Sequence, residues 1–163
     1  MTMSHSDWVL ATDRGGHLQN AQALIKQIGI APTAIVTTYG PDVDTLKQNG
    51  TEVHWVPYLF TWLGKTRLWN PLSAMIHIIV AWRLAWRLRP KVVVSLGASN
   101  VVVFCYFARA LGSKVIHVEC MNQVHTPSVT GKLLYPICET LFVQWQELLK
   151  QYGQKAKYAG WVL

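Results

Sequence analysis

Lys91-Val-Val-Val-Ser95, followed directly by Leu96-Gly-Ala-Ser-Asn100, decides the fold. A run of β-branched residues without polar alternation suits a strand covered on both faces, the usual state of a parallel sheet. The small residues after it suit a tight strand-to-helix turn. The flanking sequence repeats this unit. Trp8-Val-Leu-Ala11 reads as a first strand, and Thr12-Asp-Arg-Gly-Gly-His17 leads from it into a helix over about 18–28. Further strands are expected over 34–38 and 52–56, with a short helix over 44–48 between them. An aromatic loop then leads into a long helix over about 71–88, stopped by Pro90. Beyond the central strand, a helix is expected from 97–100 to near Gly112, then a strand over 114–119. A helix over 129–137, a strand over 141–144, a helix over 146–152 and a short strand over 158–161 follow. Repeated βα units predict an α/β fold: a Rossmann-like, open, mostly parallel sheet with helices on both faces and right-handed crossovers.

The 163 residues fit one domain with its own core. Apolar residues make up 51% and charged residues only 14%, a balance that excludes intrinsic disorder. Cys105, Cys120 and Cys138 are an odd number without CxxC spacing; they read as reduced, mostly buried thiols, and no zinc site is expected. The net charge of +7 is uneven. No acid lies between Glu52 and Glu119, and that stretch holds eight bases: Lys65, Arg67, Arg83, Arg87, Arg89, Lys91, Arg109 and Lys114. A field of one sign attracts polyanions, anionic membranes or phosphate-bearing substrates. The polar amino terminus carries no signal-peptide pattern. The longest apolar stretch, 71–82, is shorter than the roughly 20 residues a membrane span needs.

Ligands of open parallel sheets bind beyond the carboxyl ends of the strands. Three loops there carry candidate chemistry. In the first, Gly15 and Gly16 let the backbone approach a ligand, Arg14 offers a guanidinium for a diphosphate, and the helix start supplies N–H groups. GxGxxG is absent, so this is no NAD fingerprint, and it is no Walker loop. His17 sits where the helix dipole disfavours its charged form, so a neutral imidazole is expected as the proton acceptor; the alternative is a histidine that caps or packs. The second loop offers Ser95, Gly97 and Ser99 as another nest of N–H groups. The third begins at Glu119, the only acid between Glu52 and Glu139, and includes Asn122. Glu119 reads as a second candidate base or hydroxyl-orienting group, or as a structural ion pair with Arg14 or another base.

These residues fall into a pattern: Gly15-Gly16-His17-Leu18, Ser95-x-Gly97, Val118-Glu119-x-x-Asn122, Ser128-x-Thr130-Gly131-Lys132-Leu133-Leu134-Tyr135-Pro136, Val143-Gln144-Trp145 and Tyr158-x-Gly160. It resembles the acceptor-side, membrane-associated subunit of the two-part N-acetylglucosaminyltransferase of lipid-linked oligosaccharide assembly. It also resembles that subunit's bacterial PssD-type relatives of capsule and exopolysaccharide synthesis. The glycine loop and the Glu119–Asn122 loop are more distantly similar to those of MurG. The resemblance implies the amino-terminal half of a GT-B fold that holds a lipid-diphosphate-linked sugar acceptor. It also implies a separate UDP-sugar-binding catalytic subunit as hetero-oligomeric partner, with this chain inactive alone. The eukaryotic subunit carries an amino-terminal membrane anchor; none is expected here, so peripheral attachment to the cytoplasmic face of the plasma membrane is expected. No cofactor is expected, and no metal either.

Two further regions complete the reading. The aromatic-basic segment 57–90 is expected to face the membrane through Trp62, Trp69, Trp82, Arg83, Trp86 and Arg87. In its long helix, Met75, Ile79, Trp82 and Trp86 share one stripe, and the expectation is that Met75 and Ile79 turn inward while the tryptophans and arginines face lipid. The competing reading packs the whole stripe on the sheet. Gln144, Trp145, Gly160, Trp161 and Leu163 are expected to dock the partner, because an apolar tail needs covering; an edge strand within this domain is the alternative. A different class of function, a stand-alone basic Rossmann-like module for nucleotides or nucleic acid, stays open, but no nucleic-acid motif is present and none is expected as partner.

Overall fold

Seven short strands line up side by side in the computed structural model, all parallel, in the order β3-β2-β1-β6-β7-β8-β9. The structure describes residues 7–41, 44, 46, 51–63 and 66–161, without the side chains of 60–63 and 66–69. The strands are β1 (Trp8–Ala11), β2 (Ala34–Thr38), β3 (Val53–Val56), β6 (Val92–Ser95), β7 (Lys114–Val118), β8 (Thr140–Val143) and β9 (Ala156–Tyr158). The central pair is in register, with Trp8 opposite Val92 and Ala11 opposite Ser95. Strand order reverses at this pair, so the loops after β1 and β6 diverge and leave a crevice at the carboxyl edge.

Period-two alternation assigns the two faces. Val9, Ala11, Ala34, Val36, Val93 and Val115 turn to one side, where α2 (Pro71–Leu88), α3 (Val102–Ala110) and α4 (Val129–Leu134) cover them. Leu10 and Ile35 turn to the other, where Leu18 and Ala21 of α1 (Gly16–Ile28) meet them. Burial on both faces explains why β6 reads as an unbroken apolar run. Further elements among the described residues include a 3-10 turn (Ser99–Val101) before α3, another (Gln146–Leu148) before α5 (Leu149–Tyr152), and an antiparallel hairpin of β4 (Phe60–Leu63) and β5 (Thr66–Trp69).

Several expectations change. The aromatic loop before the long helix contains that hairpin. The last strand is Ala156–Tyr158, not 158–161. The short helix expected over 44–48 lies largely outside the described residues. In α2, the buried residues are the small Ala74, Ala81 and Ala85 together with His77, so the helix lies close on its neighbours. Met75 and Ile79 do not turn inward: both are exposed, as are Leu72, Ile76, Trp82 and Trp86. The large side chains would hold the helix off the core, so the small face is the one that packs. Asn70 caps α2, its Oδ1 accepting from the N–H groups of Leu72 (3.0 Å) and Ser73 (3.3 Å).

Candidate functional site at the carboxyl edge

His17 is where the three loops meet. Gly15, with φ of +72°, turns the chain from β1 into α1 and sets His17 in the first helical turn. Gly97, with φ of +82°, brings the loop after β6 so close that a Cβ there would lie 3.0 Å from His17 Cε1. From the loop after β7, Cys120 Sγ lies 3.9 Å from His17 Nδ1. This contact raises the imidazole pKa; burial opposes it, and the Asp13 carboxylate and the Leu96 carbonyl add to the rise. The expectation from the helix dipole is thus reversed by the neighbours the fold supplies. The shift favours the protonated imidazole relative to an ordinary histidine.

The glycine loop is held by Asp13, which the sequence reading left unassigned. Its Oδ1 accepts from the Arg14 N–H (2.9 Å) and from the Thr38 hydroxyl at the end of β2. Its Oδ2 accepts from Asn100 Nδ2 (3.1 Å), and Asn100 Oδ1 accepts from the N–H of Leu59 (3.5 Å). One carboxylate thus ties together the ends of β1 and β2 and the 3-10 turn after β6. Arg14 remains exposed, its guanidinium 5.5 Å over the Tyr58 ring.

Glu119 is placed differently from the expectation. It is 1% exposed, and no ion pair with Arg14 forms among the described residues. Its Oε1 accepts from the Cys120 N–H (2.9 Å), and its Oε2 from the Ser128 N–H (3.2 Å), the Ser128 hydroxyl (3.1 Å) and the Tyr152 hydroxyl. Four donors fill the carboxylate, which leaves it a role in fixing the third loop and the start of α4 rather than an open face for a substrate. Burial and the Glu119 carboxylate push the Tyr152 phenol far up, so it stays a donor. Gly131 is part of the same cluster: a Cβ there would overlap the Tyr152 hydroxyl and Glu119 Oε2.

Ser95 is fully buried, and its hydroxyl lies 3.3 Å from His117 Nδ1, facing the core rather than the edge. Gly16, Ser99 and Asn122 reach the surface around His17's loops. Gln144 is also buried, donating to the Glu119 carbonyl (2.9 Å), so it braces the third loop and presents no docking surface. Trp145 donates to the Met121 carbonyl (2.6 Å), and the exposed Trp161 lies against it, ring centroids 4.7 Å apart. Leu163 lies outside the described residues, as do the side chains of Trp62 and Trp69. The exposed Trp82, Trp86, Arg83 and Arg87 line a groove of about 680 Å³ on α2. Arg89 stacks 4.0 Å over the Trp86 ring, and Trp82 meets Phe107 edge-on at 5.2 Å.

A family model described as "Oligosaccharide biosynthesis protein Alg14 like" matches residues 62–162. The chain belongs to this Alg14-like family. Two curated relatives are the UDP-N-acetylglucosamine transferase subunits ALG14 of Yarrowia lipolytica and Saccharomyces cerevisiae. They are 30% and 27% identical to it over 104 residues, covering 60% and 59% of this chain and 48% and 44% of theirs. The match thus spans about half the length of those relatives. Among solved structures, MurG of Acinetobacter baumannii superposes with a TM-score of 0.71 at 18% identity, covering 94% of this chain and 45% of that one. UDP-N-acetylglucosamine 2-epimerase of Rickettsia bellii superposes at 0.64, with 13% identity and 95% and 45% coverage. These neighbours share the Rossmann-like α/β fold of a GT-B half. The Alg14-like match takes in the third loop, Ser128–Pro136 and Val143–Trp145, whereas the glycine loop and His17 lie before it.

Proposed function

We propose that this Alg14-like chain is one subunit of a split, inverting, UDP-sugar-dependent glycosyltransferase acting on a lipid-diphosphate-linked sugar. The observation that carries this reading is the convergence of three loops on His17 at the carboxyl edge, in a chain whose relatives are named transferase subunits. The acceptor sugar lies against His17, with its diphosphate near Arg14 and the N–H groups at the start of α1. The acceptor hydroxyl oxygen attacks the anomeric carbon of the donor sugar, the bond from that carbon to UDP breaks, and His17 takes the hydroxyl proton. Glu119 acts by holding the loop of Cys120–Asn122 in place. The donor is bound by a separate subunit, which docks beside the Trp145–Trp161 pair.

The same reading places the chain peripherally on an anionic membrane surface, on the cytoplasmic face. None of the described helices is long and apolar enough to cross a membrane. Yet α2 exposes apolar residues along its length, from Leu72 to Trp86, flanked by Arg83 and Arg87. Its amino-terminal end adjoins the carboxyl edge, where His77 contacts the Pro57 carbonyl (2.5 Å) just after β3. Trp86 lies about 14 Å beyond His77 at 1.5 Å per residue, so the apolar face leads from the membrane contact toward the acceptor site. Capsule, exopolysaccharide and lipid-linked oligosaccharide synthesis all offer acceptors of this chemistry.

The test is transfer of a labelled sugar from its UDP donor to a lipid-diphosphate sugar by this chain together with its donor-binding subunit. His17→Ala is expected to lower the rate by roughly 10²–10⁴-fold with folding and vesicle binding intact. A rate within about twofold of the parent overturns the proton-transfer role. Full activity of the chain by itself overturns the split arrangement.

A further inference from the structure

The three cysteines differ sharply in setting. Cys105 is fully buried in α3, and burial pushes its thiol up to about 12. Cys138 is also buried, and its thiol donates to the Tyr135 carbonyl at 3.4 Å. Cys120 alone among them is half-buried, on the loop that leaves β7 at the carboxyl edge. His17 Nδ1 lies 3.9 Å from its sulfur, and the backbone N–H of Asn122, two residues on, favours its thiolate. An imidazole to take the proton and an N–H to stabilise the sulfur anion are what a thiol needs to become a nucleophile.

We propose that Cys120, paired with His17, is a covalent modification site that exchanges with low-molecular-weight disulfides. The Cys120 thiol gives its proton to His17, and its sulfur attacks one sulfur of the small disulfide. A new S–S bond forms, the old one breaks, and the departing thiolate takes the proton back from His17. A second dithiol exchange reverses the step. The adduct sits directly against the imidazole, so it occupies the centre of the edge where the three loops meet.

The charged surroundings favour the reactive form. His17 comes from α1, and its contact lowers the thiol pKa; Glu119, on the same loop, opposes this, as does burial. His17 is in turn under the influence of Asp13, on the loop after β1. His117 of β7 lies near both Glu119 and His17, and burial holds it to about 4, so it stays neutral at working pH and adds no competing charge.

The experiment uses the full chain with no partner, so it does not depend on the transferase reading. Iodoacetamide labelling is followed cysteine by cysteine by peptide mass spectrometry between pH 5 and 9. Cys120 is expected to react first, with a rate inflection below the ordinary thiol value, while Cys105 and Cys138 react only in denaturant. Oxidised glutathione is expected to add one dithiothreitol-reversible adduct, at Cys120. His17→Gln is expected to slow Cys120 labelling at pH 7 at least fivefold, with Cys105 still protected as proof of folding. An inflection at the ordinary thiol value in the parent protein overturns the proposal whatever the variant does. So does a rate unaltered by His17→Gln in a folded chain. Loss of sugar transfer on glutathionylation, restored by dithiothreitol, would extend the site's effect to catalysis; its absence would leave the exchange chemistry standing and count against the transferase reading of His17.

Discussion

The His17 ring fills the space beside Gly97 across the switch point of the sheet: any Cβ at position 97 would stand 3.0 Å from His17 Cε1 and 3.1 Å from Nδ1. The two residues follow strands that neighbour each other in space, but lie 80 positions apart in sequence. The glycine is required twice, by its φ of +82° and by the ring beside it. Gly97→Ala is expected to cost about 1–2 kcal/mol of stability and to push the imidazole off Cys120. Thermal melting reads the first effect. The pH dependence of Cys120 labelling reads the second, and an unshifted profile would count against the contact.

The Glu119–Tyr152–Ser128 cluster leads to an ordering of variants. Gly131→Ala places a methyl group in the volume of the Tyr152 hydroxyl and Glu119 Oε2, and is expected to destabilise by about 3 kcal/mol or more. Tyr152→Phe removes one donor from a carboxylate that keeps three, and is expected to cost about 1–2 kcal/mol. Urea titration that ranked Tyr152→Phe as the more harmful would refute the packing argument.

Acid sensitivity should come in part from His117. Burial lowers its folded pKa to about 4 from the ordinary 6.5, so the unfolded chain binds the proton more readily. The stability this contributes is complete above about pH 6.5 and is lost as pH falls toward 4, by roughly 3 kcal/mol in all. His77, also lowered by burial, acts in the same direction. Denaturant midpoints measured from pH 7 to 4 should fall less steeply in His117→Asn than in the parent.

Membrane attachment should be electrostatic as well as apolar. Replacing Arg83 and Arg87 together with Ser is expected to weaken binding to anionic vesicles by about 1 kcal/mol per charge, roughly thirtyfold in all, and added salt should weaken the parent likewise. Flotation on neutral vesicles that equals flotation on anionic ones would remove the electrostatic part. Replacing Trp82 and Trp86 with Ala should weaken both.

Trp161 should matter to assembly more than to folding. It is 52% exposed, and its ring lies against that of Trp145. Trp161→Ala is expected to leave melting nearly unchanged while weakening capture of the donor-binding subunit. A large drop in melting with capture retained would mean that the pair serves this domain alone.

The sequence by itself determined the strand-helix alternation, because β-branched runs, glycine turns and Pro90 act locally, over a few residues each. It determined the edge at which Gly15, His17, Gly97 and Asn122 stand, since the carboxyl ends of parallel strands follow from the order of elements. Tertiary structure alone decided how those residues are used. Ser95, Glu119 and Gln144 read as exposed chemistry, but strand alternation and partners 9 to 33 residues away turn their side chains inward. Cys120 and Asp13 read as unremarkable, yet they meet His17, Thr38 and Asn100 across gaps of 25 to 103 residues. The apolar stripe of α2 gave the same ambiguity: periodicity shows that a face exists, but only packing shows that the alanine face is covered and the tryptophan face is open. The physical reason is range. Backbone preferences are settled by near neighbours in sequence, whereas hydrogen-bond partners, burial and the pKa of a histidine are settled by atoms that only the folded chain brings close.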